Sequence, residues 1–172
     1  MTDFDLTAIK AMVFDVDGVL STDVMQLSES GDPVRTVNVK DGYALQLAVK
    51  QGFRLCIITG ARVASIRKRF EGLGIEDVYI ASSVKIRDFE HFVDKYSLNE
   101  SEILYMGDDI PDYQIMQRVG LPCCPADAVP EIKAMSRYVS PIKGGCGCVR
   151  DVVEQVLKAN GKWLADEHAF GW

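Results

Sequence analysis

The chain has 172 residues, 48% of them hydrophobic and 26% charged, which suits one soluble domain with a buried core. Its 25 acidic and 19 basic residues give a formal charge of -6, arguing against nucleic acid or an anionic membrane as the main partner. No run reaches the roughly 18 apolar residues that cross a bilayer, and the acidic start Met1-Thr2-Asp3-Phe4-Asp5 lacks a signal-peptide layout, so a cytoplasmic location is expected.

Short apolar runs alternate with helical patterns along the chain. This predicts an α/β fold, a Rossmann-like three-layer sandwich around a mostly parallel sheet, in a single domain over residues 1–172. The first run, Ala11-Met12-Val13-Phe14, is continuous, as in a strand covered on both faces. Next come residues 23–39, two extended segments around the turn Ser30-Gly31-Asp32-Pro33, expected as an inserted β-hairpin flap too small to be a cap domain. Further strands are predicted at Leu55-Cys56-Ile57-Ile58, Val78-Tyr79-Ile80, Ile103-Leu104-Tyr105-Met106 and around Leu121. Helices are predicted near 41–51, 61–73, 85–96, 111–118 and 148–160, the second presenting Arg62 and Arg69 on one face. Residues 162–172 carry Trp163, Phe170 and Trp172 without helical periodicity; they either cover an apolar patch on their own subunit or, as Gly161 and Gly171 suggest, form a mobile tail that reaches a neighbour's site.

Polar residues follow each strand, at the rim where open α/β sheets place ligands. They are Asp15 and Asp17, then Thr59 and Gly60, then Lys85 opening a helix, then Asp108, Asp109 and Asp112. Convergent carboxylates repel unless a cation sits among them, and oxygen-only ligands suit Mg²⁺. A carboxylate beside that ion can attack phosphorus, a role expected of Asp15, while Asp17 protonates the leaving oxygen and then activates water. Thr59 would donate to a phosphoryl oxygen, with Gly60 beside it, and Lys85 would balance the charge shared by nucleophile and phosphoryl group. The metal set is expected to be Asp15, Asp17 and Asp108, with Asp109 and Asp112 behind it. The five cysteines show no zinc spacing, and two distant histidines, His91 and His168, give a histidine mechanism little support.

The set Asp15-x-Asp17, Thr59, Lys85 and Gly107-Asp108-Asp109-x-x-Asp112 resembles the four motifs of the haloacid dehalogenase superfamily of phosphatases. Within it the chain is most similar to the 3-deoxy-D-manno-octulosonate 8-phosphate (KDO 8-phosphate) phosphatases, from about residue 8 to 160. Gly72-Leu73-Gly74-Ile75 and Gly144-Gly145-Cys146-Gly147 support this. The resemblance implies a capless homotetramer whose hairpins, matching residues 23–39, pack centrally and help close neighbouring active sites. It implies substrate contacts from Asn38, Val39, Lys40, Asp41, Gly42 and Arg69, and a tail that covers a neighbour's site. It also implies hydrolysis of a phosphorylated sugar acid, KDO 8-phosphate, toward lipopolysaccharide. Ala61 and Gln46 stand where many such phosphatases carry arginine, and relatives acting on nine-carbon sugar acid 9-phosphates carry glutamate at the first of these positions. A nine-carbon substrate is therefore the alternative within enzymes, and a catalytically silent oligomerisation module is the alternative outside them.

Overall fold

The computed structural model describes residues 4–171; Met1, Thr2, Asp3 and Trp172 lie outside the described residues. The strands are β1 (Ala11–Phe14), β2 (Gln26–Leu27), β3 (Pro33–Val34), β4 (Arg54–Ile58), β5 (Asp77–Tyr79), β6 (Ile103–Met106), β7 (Leu121–Cys124) and β8 (Tyr138–Val139). Six of them form a parallel sheet in the order β5-β4-β1-β6-β7-β8, and β2 and β3 pair separately as an antiparallel hairpin. The helices are α1 (Val39–Lys50), α2 (Ala64–Glu71), α3 (Lys85–Tyr96), α4 (Tyr113–Met116), α5 (Pro130–Met135) and α6 (Cys148–Ala159).

The continuous apolar run of β1 has a direct cause, because successive side chains of a strand point to opposite faces. Met12 and Phe14 enter one core with Leu45, Phe70, Val152 and Val156, so α1, α2 and α6 cover that face. Ala11 and Val13 enter a second core with Phe89, Phe92, Ile115 and Ile132, from α3, α4 and α5. Three layers result. Among the described residues no helix is long and apolar enough to cross a membrane.

β1 pairs with β4 on one side and β6 on the other, with Phe14 level with both Ile57 and Met106. The chain steps outward from β1 through β4 to β5, then returns to β6 beside β1. The strand order therefore switches between β1 and β6, where such sheets open a crevice at their carboxyl ends.

Several boundaries depart from the sequence expectation. α1 begins at Val39 because the Asn38 side chain accepts from the backbone of Lys40 and Asp41. α2 begins at Ala64, so Arg62 precedes it and shares no helix face with Arg69. α5 and β8 were not anticipated, since six and two residues are too short to display a period. The tail is docked on its own subunit, one of the two placements the sequence leaves open. Tyr43 Oη donates to Ala169 O at 2.5 Å, Gln51 Nε2 to Asp166 Oδ2 at 3.0 Å, and Trp163 stands edge-on to Tyr43 at 6.0 Å. The tail thus lies on α1 of its own chain, with Ala169 buried and Phe170 exposed.

Candidate active site

A cleft of about 510 Å³ opens at the carboxyl end of the sheet, between β1, β4 and β6 and under the hairpin. Its lining includes Asp15, Asp17, Thr59, Gly60, Lys85, Asp108, Asp109 and Asp112, the strand-end residues expected from the sequence.

The floor is a buried network. Lys85, the first residue of α3, directs Nζ to Asp15 Oδ1 at 2.9 Å and to Asp112 Oδ1 at 2.7 Å. Asp112 is fully buried and also accepts from Tyr105 Oη at 2.6 Å, Asp108 N at 3.1 Å and Asp109 N at 3.5 Å. These donors occupy the lone pairs of Asp112 and make it a brace between α3 and the loop after β6. Gly107 permits this, since a Cβ there would overlap the Asp112 carboxylate. Gly18, at φ +84°, likewise leaves the space that the Asp108 carboxylate fills.

Asp15, Asp108 and Asp112 bring oxygens within 4.8 Å of one another. Burial, with the Asp112 charge adding to it, pushes the Asp15 carboxyl up, against the pull of Lys85. Burial and then the charges of Asp15 and Asp112 push Asp108 up to about 8. Despite its burial, Lys85 is held above the ordinary ammonium range by Asp15 and Asp112. This is an oxygen-only donor set with excess negative charge, and it fits a hard divalent cation. Asp15 and Asp108 would hold such an ion, with Asp112 behind them.

Thr59 is buried at the end of β4, its Oγ1 accepting from Ala61 N at 3.2 Å. Asp109 is exposed and caps the turn Ile110–Asp112. Asp17 lines the cleft with its side chain directed at the hairpin. Its carboxylate is taken by Arg35, which donates Nε to Oδ1 at 2.6 Å and Nη2 to Oδ2 at 2.7 Å. Sequence reasoning missed Arg35. The available signal was charge, because it is the one basic residue in 23–39 and follows an acidic loop. Asp23, Ser82 and Ser83 also line the cleft and were not anticipated.

The second expected group stands apart from this cleft. Asn38 caps α1 and donates Nδ2 to Gly145 O at 3.3 Å. Asp41 is buried, its Oδ1 accepting from Arg150 N at 2.6 Å in the first turn of α6. Val39 and Lys40 are exposed, while the Arg69 guanidinium covers Gly42. Arg69 lines a neighbouring pocket of about 180 Å³ between the hairpin and α2, and Arg35 lines both pockets.

A model of haloacid dehalogenase-like hydrolases matches residues 77–144. The chain is 35% identical to 3-deoxy-D-manno-octulosonate 8-phosphate phosphatase KdsC of Escherichia coli (strain K12), over 90% of this chain and 82% of that protein. A haloacid dehalogenase superfamily (subfamily III A) hydrolase from Legionella pneumophila superposes with a TM-score of 0.89 at 34% identity, covering 96% of this chain and 90% of that one. The 3-deoxy-D-manno-octulosonate 8-phosphate phosphatase of Moraxella catarrhalis, solved with magnesium, phosphate and KDO, superposes with a TM-score of 0.86 at 31% identity, covering 92% and 91%. With its parallel sheet, its small hairpin and its strand-end carboxylates, the chain belongs to the haloacid dehalogenase-like hydrolases, in the capless group similar to the KDO 8-phosphate phosphatases.

Proposed function

We propose that this chain is a Mg²⁺-dependent phosphatase that hydrolyses KDO 8-phosphate to KDO and inorganic phosphate. The observation that carries the reading is the buried Asp15–Lys85–Asp112 network beside Asp108, at the floor of an open cleft. Bound at Asp15 and Asp108, Mg²⁺ would draw charge from the phosphoryl oxygens and lessen the repulsion between an anionic substrate and an acidic site.

The protein's own residues supply the rest. An Asp15 oxygen attacks phosphorus, the bond from phosphorus to the sugar oxygen breaks, and an aspartyl-phosphate remains. Asp17, two residues along the same loop, gives a proton to the departing oxygen. It then takes one from the water that hydrolyses the aspartyl-phosphate, which returns Asp15 as a carboxylate and releases phosphate. Lys85 balances the charge that Asp15 shares with the phosphoryl group, and Thr59 donates its hydroxyl to a phosphoryl oxygen. The Moraxella protein with KDO and phosphate supports the substrate, and lipopolysaccharide precursor synthesis in the cytoplasm would be the setting.

The hairpin supports a homotetramer in which neighbours help close each cleft. Val24, Leu27, Val34, Val37 and Val39 are all exposed on it or beside it, an apolar surface that a second copy would cover. The test of substrate is a panel of phosphorylated sugar acids, assayed for phosphate release with Mg²⁺ and again with chelator. KDO 8-phosphate should show the highest kcat/KM, and preference for a nine-carbon sugar acid 9-phosphate would overturn the assignment. Absence of Mg²⁺-dependent release from every substrate would overturn the phosphatase reading itself.

A further inference from the structure

Asp17 must present an oxygen to the leaving group and then to water, yet both its oxygens are engaged from the hairpin. The Arg35 fork holds them at 2.6 and 2.7 Å, and Nη1 donates to Pro33 O at 3.3 Å. The pair is shielded, with the Arg35 side chain 13% exposed and that of Asp17 32%. The next residue fixes the geometry. Thr36 N donates to Ser21 Oγ at 3.1 Å, and Ser21 N donates to Val16 O at 2.7 Å, so the hairpin is tied to the loop that carries Asp17.

An ionised carboxylate is what the fork favours, so Asp17 loosens from Arg35 when it carries the proton for the leaving group. Opening the pair without a replacement would strand a mostly buried guanidinium, which is costly. A substrate carboxylate has the same planar pair of oxygens as Asp17 and fits the same fork. Among the described residues the cleft is lined by two cations, Arg35 and Lys85, and Lys85 is held at the floor by Asp15 and Asp112. Arg35 is the one placed to exchange partners.

We propose that Arg35 is the receptor for the carboxylate of the sugar acid, and that it releases Asp17 for proton transfer by exchanging Asp17 for that carboxylate. This rests on the phosphatase reading above and adds a reason for preferring acids. A phosphate ester without a carboxylate has to break the Arg35–Asp17 pair unaided.

The test compares KDO 8-phosphate with p-nitrophenyl phosphate, which has no carboxylate, for wild type, Arg35→Gln and Arg35→Lys with Mg²⁺. The ratio of the two kcat/KM values should fall at least about tenfold in Arg35→Gln, chiefly through KM for the sugar acid. Arg35→Lys should recover part of it, keeping the charge but losing the fork. Equal losses on both substrates, with the ratio within about twofold of wild type, would overturn the proposal. Misfolding cannot imitate the expected result, because an inactive fraction lowers both rates alike. A wild type inactive on both substrates would instead sink the phosphatase reading.

Discussion

The floor of the cleft and its hairpin wall are built by opposite means. On the floor, Asp15, Lys85 and Asp112 are buried and cross-tied, and each is fixed by a strand end or a helix start. The wall consists of two-residue strands with exposed side chains, tied to the body near the cleft through Thr36–Ser21 and Arg35–Asp17. A buried network with satisfied partners keeps one geometry, whereas an exposed hairpin with few contacts can shift at small cost. Under the proposed function, the floor would set the reaction type and the wall the choice of substrate.

The most severe way to break that division is to remove the proposed nucleophile. Asp15→Asn should lower Mg²⁺-dependent phosphate release by about three orders of magnitude or more on every substrate, with or without a carboxylate. Loss confined to sugar acids would mean that Asp15 serves recognition instead of chemistry. Steady-state rates on KDO 8-phosphate and p-nitrophenyl phosphate decide this.

A subtler probe removes none of the carboxylates but shifts one of them. Gly18→Ala would drive a Cβ into the Asp108 carboxylate and force an L residue to φ +84°. Displacing a reacting group by about 1 Å costs roughly 100-fold, so kcat should fall by that order on both substrates. The Mg²⁺ concentration for half-maximal rate should rise as well. Unchanged metal dependence would show that Asp108 does not hold the ion.

Much of the floor was legible in the sequence because its geometry is carried by the backbone. Asp15 follows a short continuous apolar run of the kind a doubly covered strand shows, and Lys85 opens a helical pattern. Arg35 was not legible as a partner of Asp17, since a side-chain pair spanning 18 positions leaves no local pattern. The same holds for the bond from Arg150 N to Asp41 Oδ1, which joins α6 to the start of α1 across 109 positions. Periodicity reports which face a residue occupies but not which distant element packs against it.

Charging the wall tests its role without touching the floor. Leu27→Asp with Val34→Asp places two carboxylates on exposed apolar positions of the hairpin. If copies meet there, sedimentation should show dissociation toward protomers, and kcat/KM on KDO 8-phosphate should fall several-fold, roughly 3- to 10-fold, with p-nitrophenyl phosphate affected less. An unchanged sedimentation coefficient would place the assembly contact elsewhere, or show that the protein acts as a protomer.

The smallest effect on turnover is expected where the wall joins the body, at the start of α1, and the readout there is stability. Asp41 is buried with Oδ1 on Arg150 N, and its Oδ2 has no partner among the described residues. Burial outweighs that hydrogen bond and raises its carboxyl from 3.8 to about 6. The folded state therefore binds this proton more tightly than the unfolded chain, so the contribution is fully present below about pH 3.8 and is lost as pH rises through about 6. Above that, the ionised group costs the fold up to about 3 kcal/mol, the equivalent of the shift. Asp41→Asn keeps an acceptor for Arg150 N and removes the charge, offsetting a weaker hydrogen bond to the first turn of α6. Melting temperatures should show the variant above wild type at pH 7.5, with the gap closing toward pH 4. A variant less stable than wild type at pH 7.5 would mean that the Asp41 charge supports the α6 terminus more than burial penalises it.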